Sequence, residues 1–146
     1  ARLTRSYGPT MNMSDTKAVS QFIKRGVAGE DIILKSEGTQ YFSYTYMSDA
    51  VSGLLWVLLT GENGEAYNIA DESGDIQLKD LATNIAALSG KKVVFEIPDG
   101  VEASGYSKAT KARLNGAKLK GLGWVPEYNI KTGVERTISI LKELYD

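Results

Sequence analysis

Hydrophobic positions recur at helical spacing in some segments of the chain and in short strand-like runs in others. The segments with helical spacing are predicted to form helices, one ending at Gly26 or Gly29, one from about Leu78 to Ser89 and one from about Ile130 to Leu144. Ser14 or Asp15 is a candidate N-cap for the first of these helices.

Strand-like runs separate the helical segments and are bounded by glycine or polar residues. These runs are Arg2–Tyr7, Asp31–Lys35, Gln40–Met47, Glu65–Ala70 and Val93–Ile97. In the third run, Phe42, Tyr44 and Tyr46 share one face, which is expected to turn towards the core. The alternation of short strands and helices predicts one small α/β domain over residues 1–146.

The segment from Ala50 to Thr60 is apolar on most of its sides. This pattern predicts a helix that is buried between other elements. Ser48 is the expected N-cap, and Asp49 is expected in the first turn, where a carboxylate interacts favourably with the helix dipole.

The segment from Pro98 to Arg113 is the least regular part of the sequence. It carries Lys108, Lys111 and Arg113, and three neighbouring cations can hold a diphosphate electrostatically. A cluster of this kind is more often a solvated loop, so both interpretations stay open. Asn115 is expected to cap a short helix that follows.

The sequence contains neither Cys nor His, and this restricts its chemistry more than any other feature of the composition. Disulfides, thiolate nucleophiles, Ser-His relays and the usual zinc and iron sites are excluded. The formal net charge of −1 gives no basic excess for binding nucleic acid or an anionic membrane. The composition favours a binding module, or part of an enzyme whose chemistry lies elsewhere.

The first nine residues, Ala1–Pro9, open inside a strand-like segment, with no initiator Met and no signal-peptide pattern. Gly8 and Pro9 then turn the chain sharply. We expect this segment to belong to a strand that continues from something upstream.

Five short motifs follow one another along the chain. They are Arg2-Leu-x-x-x-Tyr-Gly-Pro9, Gly38-x-Gln40 with Tyr46-Met-Ser-Asp49, Gly64-Glu-Ala-Tyr-Asn68-Ile, Leu78-x-x-Leu-Ala, and Lys118-Leu-x-x-Leu-Gly-Trp-x-Pro126. In this order they resemble the substrate-binding half of the extended short-chain dehydrogenase/reductases, which include the nucleotide-sugar epimerases and dehydratases. The resemblance covers nearly the whole chain and implies the fold of the C-terminal substrate-binding domain of that family.

The other half of such an enzyme is a Rossmann domain with a Gly-rich dinucleotide fingerprint and a catalytic Tyr-x-x-x-Lys pair. No Tyr in this sequence is followed by Lys four residues later, and Gly26-Val-Ala-Gly29 lacks the third glycine of the fingerprint. The resemblance therefore implies a C-terminal fragment without the Rossmann domain. NAD(P) is expected in the intact enzyme, bound mainly by the missing domain, and no cofactor is expected in this fragment.

The resemblance implies two sets of substrate contacts near the start of the chain. Position 5 corresponds to an Asn that touches the substrate, and Arg5 could meet a phosphate or carboxylate there with two hydrogen bonds. The alternative is that Arg5 is a solvated charge at a strand end. Backbone groups of Ile33, Leu34 and Lys35 correspond to those that meet the nucleotide base, although an ordinary edge strand has the same residues.

Two further positions concern the phosphates. Position 42 corresponds to an Arg that reaches the pyrophosphate, and Phe42 lacks that cation. A second phosphate-binding Arg of the family corresponds to Lys108, Lys111 or Arg113.

The leading interpretation is the nucleotide-sugar-binding portion of an NAD-dependent epimerase or dehydratase, catalytically incomplete alone. The expected partners are a nucleoside-diphosphate sugar and the missing Rossmann domain, with self-association of the fragment through exposed apolar surface. No nucleic acid, membrane or metal is expected, and the expected location is cytoplasmic. The alternatives are a non-catalytic binding or scaffold module and the substrate domain of a related NAD(P)-dependent reductase.

Overall fold

The structure, a computed structural model, describes residues 1–97 and 110–145. Its helices are α1 (Ala18–Ala28), α2 (Met47–Thr60), α3 (Leu78–Leu88), α4 (Ala117–Gly121) and α5 (Ile130–Tyr145). Its strands are β1 (Arg2–Leu3), β2 (Arg5–Tyr7), β3 (Ile32–Leu34), β4 (Tyr41–Tyr46), β5 (Asn68–Ile69), β6 (Asp75–Gln77), β7 (Val93–Phe95) and β8 (Lys111–Ala112). The predicted class, a small α/β fold of short strands and helices, is confirmed.

Strand β4 is the centre of the largest sheet. It pairs with antiparallel β6 on one edge and with parallel β2 and β8 on the other. Because β8 pairs with Tyr41 and Phe42 while β2 pairs with Tyr44 to Tyr46, these two strands follow one another along the same edge. Ser43 therefore lies at the junction between them.

The first strand-like segment of the chain changes partner at Thr4. Strand β1 pairs in parallel with β5, whereas β2 pairs in parallel with β4. The hydroxyl oxygen of Thr4 lies 2.6 Å from that of Thr45, a hydrogen bond that ties this point to β4. The predicted strand Arg2–Tyr7 is confirmed, but the structure divides it between two sheets.

The main core lies between β4 and three helices. Helices α1, α3 and α5 pack against one another, and α5 also packs on β4. Phe42, Tyr44 and Tyr46 are all buried in this core, which confirms the face predicted for them. A smaller cluster under α4 contains Tyr67 and Trp124.

Helix α1 ends where the sequence predicts and begins later. Gly29 has a φ of 67°, in the left-handed region that favours glycine, and closes the helix. The predicted N-cap was wrong, because Lys17 occupies that position without a side-chain cap. Asp15 instead accepts the N–H of Lys17, which closes a turn just before the helix.

Helix α2 is not buried between other elements, and that prediction was wrong. One side packs on β5, where Gly53 lies so close to Ile69 that an added Cβ would be 2.5 Å from its side chain. The large side chains on the rest of the helix are exposed: Val51, Leu54, Leu55, Trp56, Leu58 and Leu59. Despite this apolar surface, no helix in the described part of the chain is long and apolar enough to cross a bilayer.

The first turn of α2 holds a buried carboxylate that joins two distant parts of the chain. Asp49 is 3% exposed, and its two oxygens accept the N–H groups of Glu127 and Tyr128, each at 2.9 Å. Its predicted place in the first turn is confirmed, but the helix begins at Met47 and Ser48 is not the N-cap. Asp49 therefore positions the segment that enters α5.

Strands β6 and β8 were not predicted. β6 directly follows a short 3-10 turn at Glu72–Gly74, and β8 lies in the segment predicted to be irregular. Each depends on β4 for its hydrogen bonds, so its own sequence gives little signal. Helix α4 has Gly116 at its N-cap, while the predicted cap, Asn115, accepts the N–H of Ala117 with its side-chain oxygen at 2.8 Å.

Candidate functional site

The junction between β8 and β2 brings two arginines to one cavity. Arg113 directly follows β8, and Arg5 is the first residue of β2. Both line a cavity of about 310 Å³, together with Ser43 of β4. Since β8 and β2 are both parallel to β4 and lie end to end on its edge, the end of one strand meets the beginning of the other here.

Arg5 contributes a positive charge to this cavity. Within residues 1–97 and 110–145, the Arg5 guanidinium forms no salt bridge with a carboxylate. Its guanidinium carbon lies 3.8 Å from the centroid of the Phe42 ring. A guanidinium stacked on an aromatic face keeps the N–H donors in its plane free. The stack therefore holds the charge of Arg5 at the cavity with its donors available to an anion.

Arg113 is held by a short series of hydrogen bonds. Its Nη1 lies 3.4 Å from Oδ2 of Asp75, and the other oxygen of Asp75 accepts the hydroxyl of Ser43 at 2.5 Å. The Ser43 hydroxyl oxygen in turn accepts the N–H of Leu114 at 3.1 Å. Asp75 offsets one positive charge of the cavity, so Arg5 supplies the uncompensated one.

The charge of Arg5 also acts on the sheet beneath it. Tyr44 is the residue opposite Arg5 in the pairing of β2 with β4. Burial raises the pKa of the Tyr44 phenol to about 12, and the positive charge of Arg5 acts in the opposite direction. Tyr44 is therefore a neutral phenol at pH 7, and it does not offset the charge of Arg5.

A larger cavity of about 600 Å³ lies between α1 and β3. Helix α1 lines it at helical spacing with Ala18, Gln21, Phe22 and Arg25. Ile33, Leu34 and Lys35 line it from the strand. The cavity is large enough for a small planar ligand with part of its substituents.

One backbone edge of strand β3 is directed away from β7. The N–H of Ile32 donates to the carbonyl of Lys92, and the carbonyl of Leu34 accepts the N–H of Glu96. In a parallel pair the intervening residues point to the opposite edge, and no strand within the described residues pairs there. The N–H and C=O of Ile33 and the N–H of Lys35 are therefore directed away from β7.

Two polar side chains that line the larger cavity form hydrogen bonds with other parts of the chain. Arg25 donates to Oε2 of Glu30 at 3.2 Å and to the carbonyl of Asp31 at 3.3 Å. The Ser36 hydroxyl accepts the N–H of Gly38 at 3.2 Å. These contacts hold the cavity walls in place.

Each cavity has a lining residue that is connected to β4. Leu78 lines the larger one, and its N–H donates to the carbonyl of Gln40, just before β4, at 2.9 Å. Ser43 of β4 itself lines the smaller one.

The structure brings most of the predicted site residues to these cavities. They are Arg5 and Arg113 in the smaller cavity, and Ile33, Leu34 and Lys35 in the larger one. Phe42 is only 6% exposed and lies under Arg5. Lys111 belongs to β8 and lines neither cavity, and the prediction for Lys108 falls outside the described residues. A role in substrate binding stays a prediction for all of them.

Sequence analysis did not single out Ser43, Asp75 or Gln21. Ser43 had a weak signal, as a small polar residue in a strand of aromatic residues. Asp75 belongs to a strand that was not predicted, so its approach to Arg113 could not be foreseen. Gln21 lies on the face of α1 beside Phe22 and had no signal of its own.

Comparison with known proteins places the chain in a family. The profile described as NAD dependent epimerase/dehydratase family matches residues 1–70. UDP-glucuronic acid decarboxylase 5 from Arabidopsis thaliana is 30% identical over 134 residues, which are 92% of this chain and 38% of that protein. The chain belongs to the NAD-dependent epimerase/dehydratase family. The resemblance inferred from its motifs is thereby confirmed.

Another protein is similar over a comparable part of the chain. The low-salt glycan biosynthesis protein Agl12 of Haloferax volcanii is 28% identical over 140 residues, covering 94% of this chain and 42% of that protein. The chain thus spans less than half the length of the curated relatives it matches.

Solved structures of epimerases and dehydratases share the fold. UDP-glucose 4-epimerase from Thermotoga maritima matches with a TM-score of 0.83 at 23% identity, covering 99% of this chain and 46% of that one. A UDP-glucuronic acid 4-epimerase from Bacillus cereus, in complex with UDP-glucuronic acid and NAD, matches with a TM-score of 0.79 at 22% identity, covering 99% of this chain and 45% of that one. The fold is that of part of these larger chains.

The described residues do not fit the phosphate loop of a dinucleotide site. Gly26 to Gly29 close helix α1, whereas such a loop leads from a strand into the N-terminus of a helix. The segment Gly26–Gly29 is therefore a helix end and not a phosphate-binding loop. That the chain itself binds no cofactor stays a prediction.

Proposed function

We propose that this chain binds a nucleoside-diphosphate sugar and is the substrate-binding portion of an NAD-dependent epimerase or dehydratase. The diphosphate lies at the junction of β8 and β2, and the base lies between α1 and β3. The observation that carries this proposal is the meeting of Arg5 and Arg113 in one cavity. Two guanidiniums offer the charge and the paired donors that a diphosphate requires.

The larger cavity supports the same ligand. A nucleobase can pair with the backbone N–H and C=O of Ile33 on the edge of β3 away from β7, as a strand would. Two relatives are named for activities on UDP-sugars, UDP-glucuronic acid decarboxylase and UDP-glucose 4-epimerase.

The catalytic half of the enzyme packs, in this proposal, on the exposed side of α2. Leu58 and Leu59 are each 78% exposed there, and Leu55 is 53% exposed. Strands β1 and β5 form an isolated parallel pair beside this helix, although parallel sheets are normally larger and covered by helices on both faces. A Rossmann domain that carries NAD(P) would extend this pair and cover the helix.

Calorimetry with the full gene product tests the ligand. UDP-glucose, UDP-glucuronic acid and dTDP-glucose are titrated into the wild type, Arg5→Ala and Arg113→Ala. Each substitution is expected to weaken the binding of at least one of these ligands about tenfold or more, because a charged hydrogen-bond donor is lost. Arg136→Ala is the matched control, since Arg136 lies beside Tyr128, away from both cavities. Unchanged affinity in both cavity variants would contradict the proposed diphosphate site.

The gene sequence tests the role of the chain in a larger enzyme. The codons upstream of Ala1 are expected to encode, in frame, a Gly-rich fingerprint after a strand and a Tyr-x-x-x-Lys pair. A start codon directly before Ala1 would contradict the enzyme and favour a non-catalytic binding module.

A further inference from the structure

A carboxylate lies directly behind the wall of the smaller cavity. Asp75 does not line this cavity, but it contacts two residues that do. Its Oδ1 accepts the Ser43 hydroxyl at 2.5 Å, and its Oδ2 lies 3.4 Å from Nη1 of Arg113. Among the described residues, no other carboxylate contacts a lining residue of this cavity. Asp75 therefore contributes to the electrostatic potential in the cavity without being part of its wall.

Burial makes the charge of Asp75 effective at this distance. The Asp75 side chain is 8% exposed, whereas that of Arg113 is 43% exposed. Because water screens a buried charge less than an exposed one, the negative charge of Asp75 acts across the cavity wall. With Arg5 included, two guanidiniums and one carboxylate leave one net positive charge among the described residues at the cavity. Asp75 thus limits how much negative charge the cavity favours.

The nucleotides that could enter the cavity differ in charge at the diphosphate. In a sugar nucleotide both phosphates are esterified or bridged, and each carries a single negative charge. A free nucleoside diphosphate ends in a phosphate with a second ionisation, whose pKa is about 6 as in other phosphate monoesters. Above neutral pH the free nucleotide therefore carries one further negative charge, which Asp75 repels.

We infer that Asp75 shifts the preference of the smaller cavity from the free nucleoside diphosphate towards the sugar nucleotide, by placing a buried negative charge behind Arg113. This inference rests on the proposed function and adds to it a residue that determines specificity at the same site. Arg5 and Arg113 give affinity for both ligands, and Asp75 acts on the difference between them.

The test compares UDP-glucose with UDP, because the two share the base and the diphosphate. Calorimetry with the full gene product at about pH 8 gives the ratio of the two affinities, in which shared contributions cancel. Asp75→Asn keeps the size and an oxygen that can accept the Ser43 hydroxyl, but it removes the charge. The ratio is expected to shift towards UDP by about fivefold. Asp75→Ser removes the same charge with another side chain and should shift the ratio in the same direction, whereas Arg5→Gln should shift it towards UDP-glucose.

Two controls separate this effect from a change in structure. Asp80→Asn makes the same chemical change at an exposed position outside both cavities and should leave the ratio unchanged. At about pH 5 the terminal phosphate of UDP takes up a proton, so the shift in Asp75→Asn should disappear. A structural effect of the substitution would persist there.

An unchanged ratio in both Asp75 variants at about pH 8, or a shift that persists at about pH 5, would overturn the inference while leaving a nucleotide site intact. Failure of the proposed function would be recognised differently. In that case the wild type would bind neither ligand, or both affinities would stay the same in Arg5→Ala and Arg113→Ala.

Discussion

The guanidinium of Arg5 stacks on the ring of Phe42 at 3.8 Å, across two neighbouring parallel strands. Arg5 is opposite Tyr44, so Phe42 is its diagonal neighbour two residues away. The family resemblance marks both positions as departures, an Arg in place of Asn and a Phe in place of Arg. The structure shows that the two departures are in contact. A guanidinium therefore lies above β4 at position 42 although β4 itself contributes none there.

The first prediction is that Arg5 and Phe42 act as a unit in UDP binding. Phe42→Leu removes the platform, and Arg5→Ala removes the charge. In a double-mutant cycle measured by calorimetry, we expect a coupling energy of about 1 kcal/mol, the value of a partly exposed cation–π contact. Affinities that change additively would show that the stack does not position Arg5 for the ligand. Arg5→Lys should bind UDP with intermediate affinity, since it keeps the charge but not the planar fork.

Much of the fold could be predicted because local signals and packing agree. Helix α5 has one apolar stripe along its length, and α1 ends at Gly29, whose φ lies in the left-handed region that favours glycine. Helix α2 was misjudged for a physical reason. A helix that is apolar on most sides needs a partner on most sides, but the sequence does not say whether that partner belongs to the same chain.

The candidate site was predictable only in part. The sequence identified Arg5 and Arg113 as candidates, but it did not show that they line the same cavity. Their proximity depends on β8 and β2 lying end to end on β4. Strand β8 has two residues and no pattern of its own. The role of Asp75 depends on another pairing, that of β6 with β4. This pairing places Asp75 opposite Ser43, whose hydroxyl donates to it.

A second prediction concerns Asp49, which binds two backbone N–H groups at the entrance to α5. Asp49→Ala leaves the N–H groups of Glu127 and Tyr128 without a partner in a partly buried place. We expect the free energy of unfolding, measured with urea, to fall by about 3 kcal/mol. Asp80→Ala is the matched control, because Asp80 is also in the first turn of a helix but is exposed. Equal effects of the two substitutions would contradict the structural role of Asp49.

A third prediction compares two glycines at either end of α4. A Cβ added to Gly116 would lie 1.8 Å from the carbonyl oxygen of Ala70, so backbone must move. A Cβ added to Gly121 would meet nothing within 4 Å. Gly116→Ala should therefore lower the free energy of unfolding by about 2 kcal/mol, and Gly121→Ala should leave it unchanged or raise it slightly. Equal stability of the two variants in urea would show that the close approach is absent.

A fourth prediction is that the 146-residue chain self-associates through the exposed side of α2. Leu58 and Leu59 form a contiguous apolar surface there with Leu55. Sedimentation velocity over a range of concentrations should show dimers or larger species. The double variant Leu58→Glu/Leu59→Glu should shift the chain towards monomer, whereas Leu144→Glu, at an exposed site on α5, should not. A wild-type chain that stays monomeric at all concentrations would rule out this surface as an association site.

The last prediction is an alkaline loss of stability caused by Tyr44. Burial raises the pKa of its phenol from 10.0 to about 12, so folding favours the neutral form. The corresponding stabilisation is complete below pH 10 and is lost as the pH rises towards 12, because the unfolded chain ionises first. At pH 11 the loss amounts to about 1.4 kcal/mol. Tyr44→Phe should flatten the fall in unfolding free energy between pH 9 and 11 by this amount, while Tyr145→Phe, at an exposed position, should leave the slope as it is. An equal slope in the wild type and Tyr44→Phe would mean that Tyr44 ionises as readily in the folded chain as in the unfolded one.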